Sequence, residues 1–376
     1  MLRFMHIAIQ VNWVCILLGA RAVFAQEAEV PSPADLANVI ERLEQRVNEL
    51  EAEVSALKAQ QAPPVAPAAE EAPIEARVAE IERKLEEAPA PDTFRAYWND
   101  ALRFETADGA FKFRVGGRLQ LDAGWLTADD ELERAGGDLE DQVEFRRARI
   151  LLGATLYDDY FFEAEYDFAG GDPEFKDVVM GMENIPYAGT LTLGHRKEPF
   201  SMEAITSDNF TTFMERSLID SFTPERNTGI TLQNTLFDRR ATWAAGIYLE
   251  TDDFGDGGTD GGYNLTARVT GLPLYRDEGR KLIHIGSSYS HRNPDGLIRY
   301  RARPEMHLVD TRYVDTGEFY ADDIDIFGAE AAVQYGWFAL QGEYIRTDVD
   351  RPYRHDPTFD GWYLYGSALL TGEYRP

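Results

Sequence analysis

"EFRRARILLGATLYDDYFFEAEYDF", residues 144–168, is the stretch on which the fold turns. Arg147 and Arg149 sit on one parity and Ile150, Leu152, Ala154 and Leu156 on the other. After Tyr157-Asp158-Asp159 a second run places Phe162, Ala164, Tyr166 and Phe168 on one face and Glu163, Glu165 and Asp167 on the other. Successive side chains of a strand point to opposite faces, so two such runs joined by three polar residues predict an antiparallel hairpin with one apolar and one charged face.

Outward from this hairpin the same period recurs. "FKFRVGGRLQLDAGW" places Phe111, Phe113, Val115, Leu119, Leu121, Ala123 and Trp125 on one side, with Lys112, Arg114, Arg118, Gln120 and Asp122 on the other. Further runs span 175–183, 190–196, 228–236, 241–250, 263–270, 281–290, 324–335, 337–347 and 362–371. With 145–156 and 160–168 that makes about twelve strands without an intervening helix, an all-β protein. Connections alternate in length: "YDD", "IPYAG", "FDRR", "LPLYRDEG" and Gly336 are short, whereas 127–144, 197–227, 251–262, 291–323 and 348–361 are long and polar, with the brief 169–174 the sixth of that set. Short turns on one rim and long loops on the other are the pattern of an antiparallel transmembrane β-barrel, and 291–323 is expected to be one long outer loop.

The rest of the chain fits export. Residues 1–25 read as a signal peptide, with Arg3, an apolar stretch from Ile7 to Leu18 and the small-residue site Val23-Phe24-Ala25; the one cysteine, Cys15, lies inside it. Leu36, Ile40, Leu43, Val47, Leu50, Val54 and Leu57 give three heptads within 35–60, a periplasmic coiled coil for self-association or an amphipathic helix lying on a surface. A Pro/Ala linker and short helix fill 61–92, and the barrel occupies 93–376. No later apolar run is long enough for a membrane helix, so crossing falls to strands. The net charge of −29 argues against a nucleic-acid partner.

In lipid the apolar face of each strand points outward and the charged face lines a wet lumen, putting Arg147 and Arg149 opposite inward carboxylates. A soluble sheet with one solvated charged face is the alternative, but so many apolar faces exceed what one soluble core holds.

"EFRRARI", "LTLGHRKEPFSMEAITSDNFTTFMERSLIDSFTPERNTGI", "ALQGEYI" and "ALLTGEYRP" resemble the phosphate-selective porins of the porin O and P family, over roughly 95–376. The resemblance implies a homotrimeric, 16-stranded outer-membrane channel whose long third outer loop folds into the lumen, with Arg146, Arg147, Lys197, Arg216 and Arg226 conducting and binding anions. Arg149, Arg114 and Arg118 join these as pore-lining candidates from the inward parity of their strands. Residues 91–376 carry 51 acidic and 29 basic side chains, so a basic throat would sit inside an acidic protein. The run stops at Pro376 after the twelfth strand, implying about four strands outside this sequence or a smaller barrel closing at twelve; the resemblance favours the former.

"TDDFGDGGTDGG" offers Asp252, Asp253, Asp256 and Asp260 but lacks the final Glu of a calcium loop, reading as a flexible outer loop instead. Neither HExxH nor GxSxG occurs. The expectation is a porin, not an enzyme, without cofactor or resident metal, passing phosphate, polyphosphate or other small anions. Its partners would be outer-membrane lipid, its own copies and, through the coiled coil, peptidoglycan. A non-selective pore or a barrel-anchored tether to the cell wall is the alternative.

Overall fold

The computed structural model describes residues 93–127, 131, 140–258, 262–294, 296–312, 314–352 and 354–375. The expected signal peptide, coiled coil and linker lie outside the described residues. The chain opens with β1 (Phe94–Asn99), β2 (Ala101–Thr106), β3 (Phe111–Gly124), β4 (Gln142–Leu156), β5 (Tyr160–Asp167), β6 (Glu174–Ile185) and β7 (Gly189–Lys197). There follow β8 (Arg226–Leu236), β9 (Ala241–Leu249), β10 (Asn264–Arg276) and β11 (Lys281–Arg292). A hairpin of four short strands, β12 (Gly296–Ile298), β13 (Arg301–Ala302), β14 (Val314–Asp315) and β15 (Phe319–Ala321), precedes β16 (Asp323–Tyr335), β17 (Phe338–Asp350) and β18 (Thr358–Ala368).

Fourteen of these strands form one antiparallel sheet in chain order, with β11 beside β16. The sequence expectation of twelve is therefore two short. Phe94, Ala96 and Trp98 do alternate, but β1 and β2 are six residues each, below the span of about 9–11 that a membrane strand needs. Between β11 and β16 the expected single long connection holds: the two pair from Lys281↔Tyr335 to Arg292↔Ile324, and the small strands pair only with one another, β12 with β15 and β13 with β14. The short turn expected at 272–279 is replaced by a longer β10, which absorbs Pro273 in an irregularity between Gly271 and Leu274 and turns at Asp277–Gly279. Among the described residues β1 and β18 are the edges of the sheet and do not pair with each other.

The turn within the opening stretch explains its tightness. Tyr157 and Asp158 both have positive φ, 53° and 62°, the backbone twist that matches the right-handed twist of the flanking strands. On both sides of that turn the usual polarity of a protein is inverted. Val143, Phe145, Ile150, Leu156, Phe162 and Phe168 are exposed, whereas Arg147, Arg149 and Asp167 are buried. Apolar residues outside and charges inside suit a sheet with hydrocarbon on one face and a polar interior on the other. No described helix is long and apolar enough to cross a membrane.

One apolar cluster interrupts the polar inner face. Phe200 and Ile219, from the 198–225 connection between β7 and β8, pack with Ile324 and Ile326 of β16, Ile345 and Val349 of β17, and Ala321 of the hairpin. Burying each large side chain contributes about 2 kcal/mol. This pins the connection against the β16–β18 wall.

Candidate functional site

Strict alternation would send Arg146 to the apolar face, opposite to Arg147. The β3–β4 ladder slips there: Gln120 pairs with Arg147 and Leu121 with Phe145, leaving Arg146 as an extra residue. A bulge of this kind re-aims a side chain. Arg146 thus joins Arg147 and Arg149 on the wall of one cavity of about 1190 Å³.

All eight residues singled out from the sequence line that cavity: Arg114 and Arg118 from β3, Arg146, Arg147 and Arg149 from β4, Lys197 from the end of β7, Arg226 from the start of β8, and Arg216 from the connection between them. Lys176, Arg196 and Arg268 also line it and went unnoticed in the sequence. Arg196 was legible, because it shares the parity of Thr190 and Thr192 within "TLTLGHRK". Around the cavity stand eleven basic side chains and seven acidic ones.

Most of these cations are paired. Asp208 collects four of them: Arg216 Nη2 donates to Oδ1 at 2.8 Å, Arg118 Nη1 and Arg149 Nη1 donate to Oδ2 at 3.0 and 3.2 Å, and Arg147 Nε lies 3.0 Å from Oδ2 as an ion pair without hydrogen-bond alignment. Arg147 instead donates through Nη1 to Gln120 Oε1 at 2.8 Å. Arg149 also donates to Asp167 at 2.6 Å, Arg226 to Asp177 at 2.8 Å, Arg146 to both oxygens of Glu215, and Arg114 to Glu163. Burial by itself raises the Asp208 carboxyl, but Arg216, Arg147, Arg149 and Lys197 outweigh it and hold the group well below the usual carboxylate range.

Two cations on the cavity wall have no carboxylate partner among the described residues. Lys197 Nζ donates to the Ala204 carbonyl at 2.5 Å, and Arg196 Nε is buried without a hydrogen-bond partner.

The 198–225 connection carries half of this machinery. After Lys197, Glu198 is almost fully buried and accepts from Asn227 at 2.7 Å, Arg292 at 3.0 Å and Thr266, which roots the segment on β8, β10 and β11. A single helical turn, α1 (Met202–Ile205), then sets its first two N–H groups on the carboxylate of Glu343 in β17. The middle of the segment meets β3 and β4 through Asp208 and Glu215, and Thr212 donates to Tyr365 of β18 at 3.2 Å. Along this connection Phe200 and Ile219 are buried and Phe222 half-buried, while Ile205, Phe210, Phe213 and Leu218 are exposed. In the 251–262 loop, Asp252 caps its own turn, accepting from Phe254 N and Asp256 N at 2.9 Å each, and Asp260 lies outside the described residues.

An antiparallel sheet, apolar outside and charged inside, with a long connection laid against the charged face, defines an outer-membrane porin. The family model of phosphate-selective porin O and P matches residues 113–376, and the chain belongs to that family. Porin O of Pseudomonas aeruginosa is 28% identical over 306 residues, covering 73% of this chain and 68% of Porin O. An uncharacterized protein of Caulobacter vibrioides is 26% identical over 354 residues, 91% of this chain and 69% of its own length. Among solved structures, OmpT of Vibrio cholerae and its loop L8 deletion mutant, both outer membrane proteins, are 12% identical, with TM-scores of 0.42 and 0.43, over 69% of this chain and 72% and 78% of theirs.

Proposed function

We propose that the chain conducts small anions through the outer membrane, and that the connection 198–225 narrows the lumen at the Arg118, Arg146, Arg147, Arg149, Lys197, Arg216 and Arg226 cluster. The carrying observation is the segregation of charge: a protein of net −29 surrounds this cavity with eleven basic and seven acidic side chains. Lys197 and Arg196 are the cations best placed to take an anion, because no carboxylate lies within ion-pair distance of either among the described residues. The paired arginines offer shallower sites on either side, and a series of weak sites lets an anion move on. Phosphate, in the family's name, has the charge and acceptor oxygens for such a path, and polyphosphate shares both.

A non-selective diffusion pore is the second reading. It is favoured by the carboxylate partners of the other seven predicted residues, Arg114, Arg118, Arg146, Arg147, Arg149, Arg216 and Arg226. Reversal potentials in a potassium chloride gradient separate the two. Anion conduction predicts a clear anion-side potential for the wild type that Lys197→Glu moves toward cations while channels still insert; a wild-type potential near zero favours the non-selective pore.

Two parts of this reading concern assembly. In hydrocarbon the open edge of β18 and the stretch of β3 that the short β2 leaves unpaired must find partners, directly or through further strands. The heptads of 35–60 would serve homotrimer formation and a hold on peptidoglycan. A peptide of residues 35–60 that sediments as an oligomer supports the stem; a monomer with little helix removes it.

A further inference from the structure

We infer that Glu343 is the positioning residue that sets where the in-folded loop lies, and through it where the arginine cluster on the opposite wall is held; this rests on the pore reading above. Glu343 is buried on the inner face of β17, and its carboxylate accepts from Met202 N at 3.0 Å, Glu203 N at 2.6 Å and Tyr363 OH at 2.7 Å. Two oxygens receiving two consecutive backbone donors fix both the place and the direction of α1.

The hold is needed because the approach to α1 is strained. Ser201 has φ 60° and ψ 135°, a region that a residue with a side chain occupies only when its surroundings over-determine it. Two of those surroundings are the Ser201 hydroxyl, which accepts from Ala204 N at 3.1 Å, and the fully buried Phe200, which Gly328 of β16 lets approach, since a Cβ there would lie 3.2 Å from the Phe200 ring. The third is Glu343.

From α1 the hold passes across the lumen. Glu203 takes Ser217 N at 3.1 Å and Ser217 Oγ at 2.5 Å on its side chain, and Arg216 Nε at 2.9 Å on its carbonyl. Arg216 then bonds Asp208, on which Arg118, Arg147 and Arg149 converge. A carboxylate on the β17 wall thus positions the cations of the β3–β4 wall through one continuous set of hydrogen bonds and ion pairs.

Direct electrostatics and positioning predict opposite signs, which makes the role measurable. Removing a negative charge beside a pore should by itself increase preference for anions. Glu343→Gln also replaces an acceptor oxygen by an NH₂ group, turning a donor toward the Met202 or Glu203 N–H. Leaving one buried donor unsatisfied shifts the docked-to-released ratio of the loop roughly tenfold. The full chain in planar bilayers with potassium chloride should then show, for Glu343→Gln, larger and flickering single-channel currents and a reversal potential moved toward cations.

Glu330→Gln is the control. Glu330 is the cross-strand neighbour of Glu343 and is equally buried, but it binds Arg268 and His284 of the wall and no residue of the loop. Its loss should leave current size unchanged and move the potential toward anions. Tyr363→Phe, which removes one donor to the same carboxylate and keeps the charge, should give a weaker version of the Glu343→Gln flicker and serves if Glu343→Gln yields no channels. Quiet channels in Glu343→Gln or Tyr363→Phe, or the same anion-ward shift in Glu343→Gln and Glu330→Gln, overturn the positioning role while an anion-side wild-type potential leaves the pore reading standing. Failure of the wild type to select anions overturns the pore reading instead.

Discussion

On the β3–β4 wall, Arg118, Arg147 and Arg149 converge on a carboxylate that the loop carries, Asp208; on the β16–β17 wall the carboxylate belongs to the strand, Glu343, and the loop offers backbone N–H groups. The same segment is held on both sides by the same chemical group with its ownership exchanged. The difference bears on what each contact can do. Side-chain ion pairs with Asp208 gather several cations on the cavity wall, whereas Glu343 binds backbone N–H groups and fixes geometry. On the proposed pore reading, one wall would select and the other would hold.

The largest break in this comparison should come from Asp208→Asn. Removing one partner from a buried ionic cluster costs about 3–5 kcal/mol, and here four guanidiniums lose their shared counter-charge. The loop should leave the β3–β4 wall and become open to protease cleavage within residues 206–217 in reconstituted vesicles; an equally resistant loop would show that Glu343 and the apolar cluster suffice.

An intermediate effect is expected from Phe200→Ala, which empties the seat on Gly328. Phe→Ala in a well-packed site costs about 3–5 kcal/mol, but neighbouring Phe222 and Phe359 can close part of the space, so a loss near the lower end is expected. Denaturant titration should show it, together with a small cation-ward shift of the reversal potential, because Phe200 helps to hold the same loop that Glu343 positions. A selectivity change as large as that of Lys197→Glu would mean that the holding wall also selects.

The smallest effect concerns acid. Asp208 is held below its ordinary value of 3.8, so its contribution is complete above that value and is lost only as pH falls through the lower folded one. Glu203 is pushed up, mainly by burial, so protonating it favours the docked loop, and that gain is lost as pH rises through its folded value. Both signs predict a loop that stays docked, and a steady conductance, from about pH 7 to about pH 4.5. A channel that opens on acidification inside that window would point to a group on the walls, because Glu203 acts in the other direction.

The two walls were not equally legible in the sequence. Arg147 and Arg149 announced themselves by parity, and "KEPFS" and "MERS" by resemblance, because side-chain chemistry is written in the residues themselves. Glu343 went unnoticed inside "ALQGEYI", because its partners are amide groups that every non-proline residue carries. Period two located twelve strands because each is long enough to declare an apolar face, and missed β1 and β2 because six residues hold only three outward positions. Asp208 lay in view within "TSDNF", yet its role depends on a fold-back that brings it to arginines 59 to 90 positions earlier in the chain.

The bulge at Arg146 has a consequence for linear charge density. A regular strand offers one inward side chain every two residues, about 6.6–6.8 Å apart, so a wall made only of regular strands has a ceiling on how closely its cations can follow one another along the path of an ion. By doubling one rung, the slip between Gln120 and Leu121 brings Arg146, Arg147 and Arg149 to the same face within four residues. Deleting Arg146 would restore a regular ladder and bring that stretch of wall back under the ceiling, so the irregularity is what lets so acidic a chain concentrate positive charge at one depth.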